Sequence, residues 1–319
     1  MESLSREKEP ARTRTTQRNF QQKNVQEKIR EKNREKTGTK RSTIWMILPL
    51  YLFTLVFVAC PLLYMVALSF ATPGEIHGVQ WIFTLDNYKK ILEPVYLDTF
   101  VQSFQLALTS TAFIALIGYP FGYFMAKLPA GGKKKAMLLL MLPFWVNSLI
   151  RLYGWIIILQ KKGLLNFVLK KLGLIEKPLK IMYSYPAIVI GMIYVLLPFM
   201  ILSVYSSAEK LDWSLVEASR DLGASKAKAF WTISFKLTLP GLLSGVILTF
   251  VPSMGLFFIA DILGGNKVVL VGSLIQDQMT RGSNWPFAAA LAVVMMILTT
   301  LMILLYRKVT NAKEVEGLG

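Results

Sequence analysis

Six long apolar runs decide what this chain can become: residues 43–70, 100–126, 136–160, 181–208, 237–260 and 282–306. A helix needs about twenty residues to cross the roughly 30 Å hydrocarbon layer of a bilayer, and every run is long enough. Five carry no charged residue; the third carries one, Arg151. With no water in the bilayer core, each backbone donor and acceptor must be satisfied inside its own segment, so the runs predict helices. The expected fold class is an all-α integral membrane protein with six transmembrane helices. Prolines at 49, 61, 120, 143, 198 and 252 predict kinks, tolerable where neighbouring helices satisfy the freed backbone groups.

The charges left outside those runs set the orientation. Six crossings put both termini on one side. With the amino terminus inside, the inner segments hold twenty-five Lys and Arg and the outer segments ten, so the positive-inside rule places both termini in the cytoplasm. Residues 161–180 oppose the sum, since they carry six Lys and fall outside. Within them Leu164, Leu165, Val168, Leu169 and Leu172 form one apolar helical face with Lys170 and Lys171 off it, as expected of a helix lying in the outer interface. Residues 1–41 hold thirteen Lys and Arg against six Glu and no apolar stripe, which reads as a disordered cytoplasmic tail or a frayed polar helix. Residues 42–308 form the six-helix domain and 309–319 a cytoplasmic tail. The net charge of +17 is explained by topology; no aromatic-interleaved basic module points to nucleic acid.

One polar island, residues 211–241, interrupts the last third of the chain. Leu211, Leu215, Ala218 and Leu222 recur at helical spacing while Glu217, Arg220 and Asp221 occupy other faces, which predicts a short amphipathic helix. Ser214 followed by Glu217 has the form of a capping box. Gly223 is expected to end that helix and Ser225 to cap the next.

Catalytic patterns are absent: the sequence contains no phosphate loop, no HExxH and no CxxC. The chain is expected to be no enzyme and to bind no metal or cofactor of its own. Cys60 lies in an apolar run and is expected to be a buried inert thiol, and His77 stands alone. A charge at membrane depth costs at least about 2.5 to 3.5 kcal/mol, so Arg151 should face the bundle interior, a water-filled path or a carboxylate such as Asp261. Trp145, Asn147, Arg151, Tyr153 and Asp261 are the candidate pathway residues, with the aromatic rings able to attract amines. The outer segments 71–99 and 261–281 are long enough to receive an external partner.

Glu217, Ala218, Gly223 and Ile233 are spaced as in the EAA loop of ABC-importer permeases, which the island resembles; Ser219 stands at the usual second Ala, and Lys236 where many members have Pro. TLDNY (84–88), LPFWVNSLIRLYGW (142–155), VEASRDLGASK (216–226), MGLFFIADILGG (254–265) and NWPFAAA (284–290) extend the likeness over about residues 45–308. The chain resembles the spermidine/putrescine ABC permeases of the PotB type. That resemblance implies a type I ABC-importer permease fold in a bacterial cell membrane and import of polyamines. Its implied partners are a second permease (PotC type), an ATPase dimer (PotA type) that binds ATP and Mg, and an extracytoplasmic binding protein (PotD type). It also implies that Glu217, Ala218, Arg220, Asp221 and Gly223 couple ATPase closure to alternating access. Two other readings stay open: a permease of the same kind for another solute, and a gradient-driven secondary transporter, against which the charge-free spans argue.

Overall fold

The structure, a computed structural model, describes residues 48–74, 78–265 and 267–316. The expectations for residues 1–41 and for His77 lie outside them. The chain divides into two units, residues 1–64 and 65–319. Helix α1 (Leu48–Ser69) begins in the first and ends in the second. In the first unit a π turn occupies Leu55–Ala59 and the Thr54 hydroxyl donates to the Leu50 carbonyl, 2.9 Å away. Cys60 is exposed, not buried; on an apolar span facing hydrocarbon a thiol behaves as a small apolar group.

The second unit is built on three long helices: α3 (Pro94–Lys127), α7 (Tyr185–Glu209) and α9 (Lys226–Gly255). Lipid tails are as apolar as leucine, so close backbone approach and interhelical hydrogen bonds must hold such helices together. Both are present. A side chain at Gly122 of α3 would lie 2.7 Å from the Ile201 carbonyl of α7, and one at Gly241 of α9 would lie 2.8 Å from the Ser203 carbonyl. Tyr119 and Thr238 share a hydrogen bond of 2.8 Å between α3 and α9, and the Tyr123 hydroxyl donates to Ser234 Oγ at 3.0 Å. The Ser203 hydroxyl ties α7 to the Gly241 carbonyl at 2.8 Å. Leu106, Ile114, Met192, Met200 and Ile259 are fully buried among these helices.

Between α3 and α7 the chain crosses the bilayer in two pieces. Helix α4 (Ala130–Met141) stops at a 3-10 turn over Leu142–Trp145, and α5 (Ser148–Leu159) resumes after the Asn147 side chain accepts from the Leu149 amide at 2.8 Å. Contacts climb α7 as this chain advances: Lys133 reaches Glu209, Phe144 meets Phe199, and Trp155 meets Tyr194. Glu209 to Tyr194 represents about 22 Å of helix rise, most of a bilayer's apolar thickness. The expected third span is therefore present but broken near its middle. Length and composition alone favour Ser148–Lys171 as the span. The contact ladder instead favours α4 and α5 as the crossing, and α6 (Leu164–Lys171) is a separate short helix with Lys170 and Lys171 in its last turn.

The remaining pieces gather at one end of the bundle and lead into the last span. Strands β1 (Thr72–Pro73) and β2 (Val79–Gln80) pair antiparallel, with Thr72 opposite Gln80. Helix α2 (Asp86–Ile91) follows, its buried Asn87 amide donating to the Ser69 and Ala71 carbonyls at 3.0 and 2.9 Å. Beside it, the Thr84 hydroxyl and Lys89 hold the exposed Asp86 carboxyl below its ordinary pKa. The fifth apolar run does not continue to residue 260: α9 ends at Gly255 and α10 (Phe257–Gly264) starts after a change of direction at Leu256. Helix α11 (Val271–Thr280) is anchored by its Val271 amide on Ser103 Oγ, and α12 (Trp285–Glu316) is the last span.

Candidate functional site

The polar island folds into α8 (Trp213–Asp221), a turn, and the start of α9. Its amino-terminal cap is Asp212, whose side chain accepts from the Ser214 amide at 3.0 Å, and not the expected Ser214–Glu217 box. Asp satisfies an orphan amide as well as Ser does, and two residues earlier it lets Trp213 and Ser214 join the helix. The other two expectations are met. Gly223 adopts φ +86, the left-handed conformation that closes a helix at low cost only in glycine, and its amide returns to the Arg220 carbonyl at 2.9 Å. Ser225 accepts from the Lys228 amide at 3.2 Å.

Helix α8 has no buried residue. Glu217, Ala218, Arg220, Asp221 and Gly223 are all exposed, and Leu222 is 90% exposed. Yet α8 is braced from the bundle side: Trp213 packs edge-on against Tyr123 at 5.7 Å, and Tyr123 against Phe230 at 5.3 Å. A π turn over Phe230–Ser234 lies directly beyond, where α9 enters the bundle. The result is a rigid, capped lever with a free outer face, joined through aromatic rings to α3 and α9.

The candidate pathway residues do not form one cluster. The Arg151 guanidinium stands 5.3 Å from the Phe144 ring centroid and 5.5 Å from that of Tyr194, between a ring of the helix break and a ring of α7. Its Nε is buried without a hydrogen-bond partner. Asp261 instead accepts from the Ser273 hydroxyl at 2.9 Å, and the described ion pairs do not join it to Arg151. The helix that carries Asp261 packs against α5 as well as α11, but its carboxylate is engaged by Ser273 of α11 while the Arg151 guanidinium lies between Phe144 and Tyr194. Trp145 and Tyr153 lie exposed on the surface of the bundle, while Asn147 caps α5. Phe144 and Tyr194, the partners that settle the arginine, carried no signal beyond being aromatic residues in apolar runs. No group of three metal-ligating side chains occurs among the described residues.

Such an arrangement defines a class: a multi-pass α-helical membrane protein in which an exposed, capped helix meets one bundle helix through a ring pair and reaches a second through that helix's own ring. The comparisons with known proteins then specify it. Residues 118–313 match the family described as binding-protein-dependent transport system inner membrane component. The spermidine/putrescine transport system permease protein PotB of Escherichia coli (strain K12) is 43% identical over 273 residues, covering 85% of this chain and 99% of that protein. The protein of the same name in Haemophilus influenzae is 40% identical over 260 residues, covering 81% and 91%. Among solved structures, a chain of a bacterial ABC transporter that imports alginate superposes with a TM-score of 0.63 at 16% identity, over 87% of this chain and 99% of that one. A chain of the MetNI methionine ABC transporter gives 0.52 at 18%, over 69% and 98%. These structural likenesses show the fold. This chain belongs to the family of inner-membrane permease components of binding-protein-dependent transport systems.

Proposed function

We propose that the chain is the permease subunit of an ATP-driven importer of polyamines, with both termini in the cytoplasm. A second permease, an ATPase dimer and an extracytoplasmic polyamine-binding protein complete the machine. The observation that carries the coupling role is α8: a capped helix with no buried residue, held to α3 and α9 by Trp213, Tyr123 and Phe230. An exposed Leu222 beside charged Glu217, Arg220 and Asp221 has the anatomy of an unfilled contact, apolar at the centre and polar at the rim. Closure of an ATPase pair around α8 would push on the lever and, through the rings, on α3 and α9, shifting the bundle between two accessible states. Polyamine as cargo is supported by the names of the relatives at 40 to 43% identity. The half-buried Arg151 repels a cation and would keep such a cargo off the α5 side of the bundle.

The test is reconstitution of the full chain with its second permease and ATPase. Spermidine-loaded binding protein is expected to stimulate ATP hydrolysis, and Gly223→Pro to abolish the stimulation while leaving membrane insertion intact. An assembled complex that ignores spermidine but responds to another solute would remove the cargo and keep the importer. Failure of any ATPase to associate would remove both.

A further inference from the structure

On the bundle side of α8 lies a cleft of about 540 Å³, walled in part by the rings of Tyr123 and Phe230 that brace the helix. Its floor is aromatic, with Tyr119, Tyr123, Phe124 and Phe230. Three cations border it, Lys127, Arg220 and Lys226, and no carboxylate lines it. The described ion pairs join Lys89 to Asp86, Lys133 to Glu209 and Arg281 to Asp277, so none neutralises these three. Glu217 and Asp221 border a separate cleft that shares Arg220 and Lys226. The Lys127 ammonium stands 4.4 Å from the Tyr123 ring centroid and 5.0 Å from that of Trp213, which holds the side chain in place and leaves its charge intact. Lys226 opens α9, where unpaired backbone amides add further positive potential.

The location adds a second constraint. By length and apolar composition the spans of α3 and α9 end at Lys127 and begin at Lys226, which would set the charged rim near headgroup level with the ring-lined floor on the hydrocarbon side. The floor's hydroxyls are already engaged, Tyr119 with Thr238 and Tyr123 with Ser234, so it presents apolar surface to an occupant. A soluble anion would leave those rings facing water, and a zwitterionic lipid would bring no net negative charge to Lys127 or to the side of Arg220 and Lys226 that faces away from Glu217 and Asp221. We propose that the cleft binds one anionic phospholipid, its phosphate held by Lys127, Arg220 and Lys226 and an acyl chain laid against Tyr119, Pro120 and Phe124. The lipid would then wedge α8 against the ends of α3 and α9. This site is independent of cargo.

The experiment takes the full-length chain from nanodiscs containing equal phosphatidylglycerol and phosphatidylcholine and identifies retained lipid by native mass spectrometry. One phosphatidylglycerol is expected to be kept in preference to phosphatidylcholine and to survive excess inorganic phosphate. Each of Lys127→Gln, Arg220→Gln and Lys226→Gln should weaken retention roughly fivefold, the worth of one cation near an anionic surface. Lys127→Arg should preserve it, and Lys134→Gln, an exposed lysine outside the cleft, should leave it unchanged. Equal retention of phosphatidylcholine, displacement by inorganic phosphate, a Lys134 effect as large as the others, or full retention after all three glutamine substitutions would each overturn the proposal. The three side chains are exposed, so the variants are expected to fold, and a melting curve on each checks this. The readout needs neither ATP nor polyamine, so it stands or falls apart from the transport reading.

Discussion

Leu222 is the most exposed large apolar side chain among the described residues, and its neighbour Gly223 is one of the few in the left-handed region. Exposure of that degree means that the folded chain gains little from the leucine. Leu222→Ser is therefore expected to change stability by less than about 0.5 kcal/mol. Burial of the same side chain by an ATPase would be worth about 1.5 to 3 kcal/mol, so co-purification of the ATPase should fall at least tenfold. Undiminished co-purification would remove Leu222 from the contact. At Gly223 an added side chain meets no atom within 4 Å, so the cost of Gly223→Ala is the backbone's alone, about 1 to 2 kcal/mol for φ +86. Gly223→Asn should recover part of that, because Asn tolerates the left-handed region; faster hydrogen exchange across α8 in Ala than in Asn checks it. Gly223 and Ser225 were legible in the sequence because each performs a role few residue types can. The cap at Asp212 was not, since Ser214 and Glu217 fit an equally good pattern two residues on. Nor was the setting of Arg151. A double-mutant cycle of Arg151→Met with Asp261→Asn should give a coupling below about 0.5 kcal/mol, as for sites with no shared partner. A larger coupling would restore the ion pair expected from the sequence.

Helices were easy to place and their interruptions were not. Residues 136–160 are apolar apart from Asn147, Ser148, Arg151 and the terminal Gln160, and a proline at 143 is compatible with a kink or with a complete break. What decides is Asn147, which accepts the Leu149 amide and restarts the helix as α5; a single polar residue in an apolar run looks the same whether it caps or packs. The fifth run breaks at Leu256, directly after Gly255 and four residues after Pro252, so the proline marked a kink without showing that the helix would end there. By contrast, the helix contacts left a pattern that can be read. Gly118 and Gly122 on α3, and Gly241 and Gly245 on α9, are small residues four apart in apolar helices, the spacing that lets backbones approach. Gly122→Leu or Gly241→Leu must push α7 away and is expected to cost about 1 to 3 kcal/mol or more. Gly131→Leu on α4 meets nothing within 4 Å and should be neutral within about 0.5 kcal/mol. Melting of the three variants in one detergent checks this, and equal melting of all three would mean that α3, α7 and α9 are not held by close approach.

The proposed orientation rests on the charge distribution summed over every loop, since no one loop fixes it. The positive-inside sum is large, yet about half of the inner basic residues belong to 1–41, while the six Lys of 161–180 oppose it. The fold supplies a reason for that opposition. Lys170 and Lys171 end α6, and if that helix lies in the interface, as its apolar face predicts, long basic side chains reach the headgroups from either face of a bilayer. Those lysines therefore carry less orientational weight than their number suggests, and the short inner segment 127–135, with four Lys in nine residues, carries more. Because the chain has one cysteine, Cys60→Ser gives a background free of thiols in which orientation can be read directly. In intact cells, a membrane-impermeant maleimide is expected to label Lys177→Cys and to miss Ala227→Cys, which should react only after permeabilisation. Both positions are exposed, so access alone separates them. The reverse pattern would place α8 outside the cell, away from ATP, and an importer driven through that helix would be ruled out whatever its cargo.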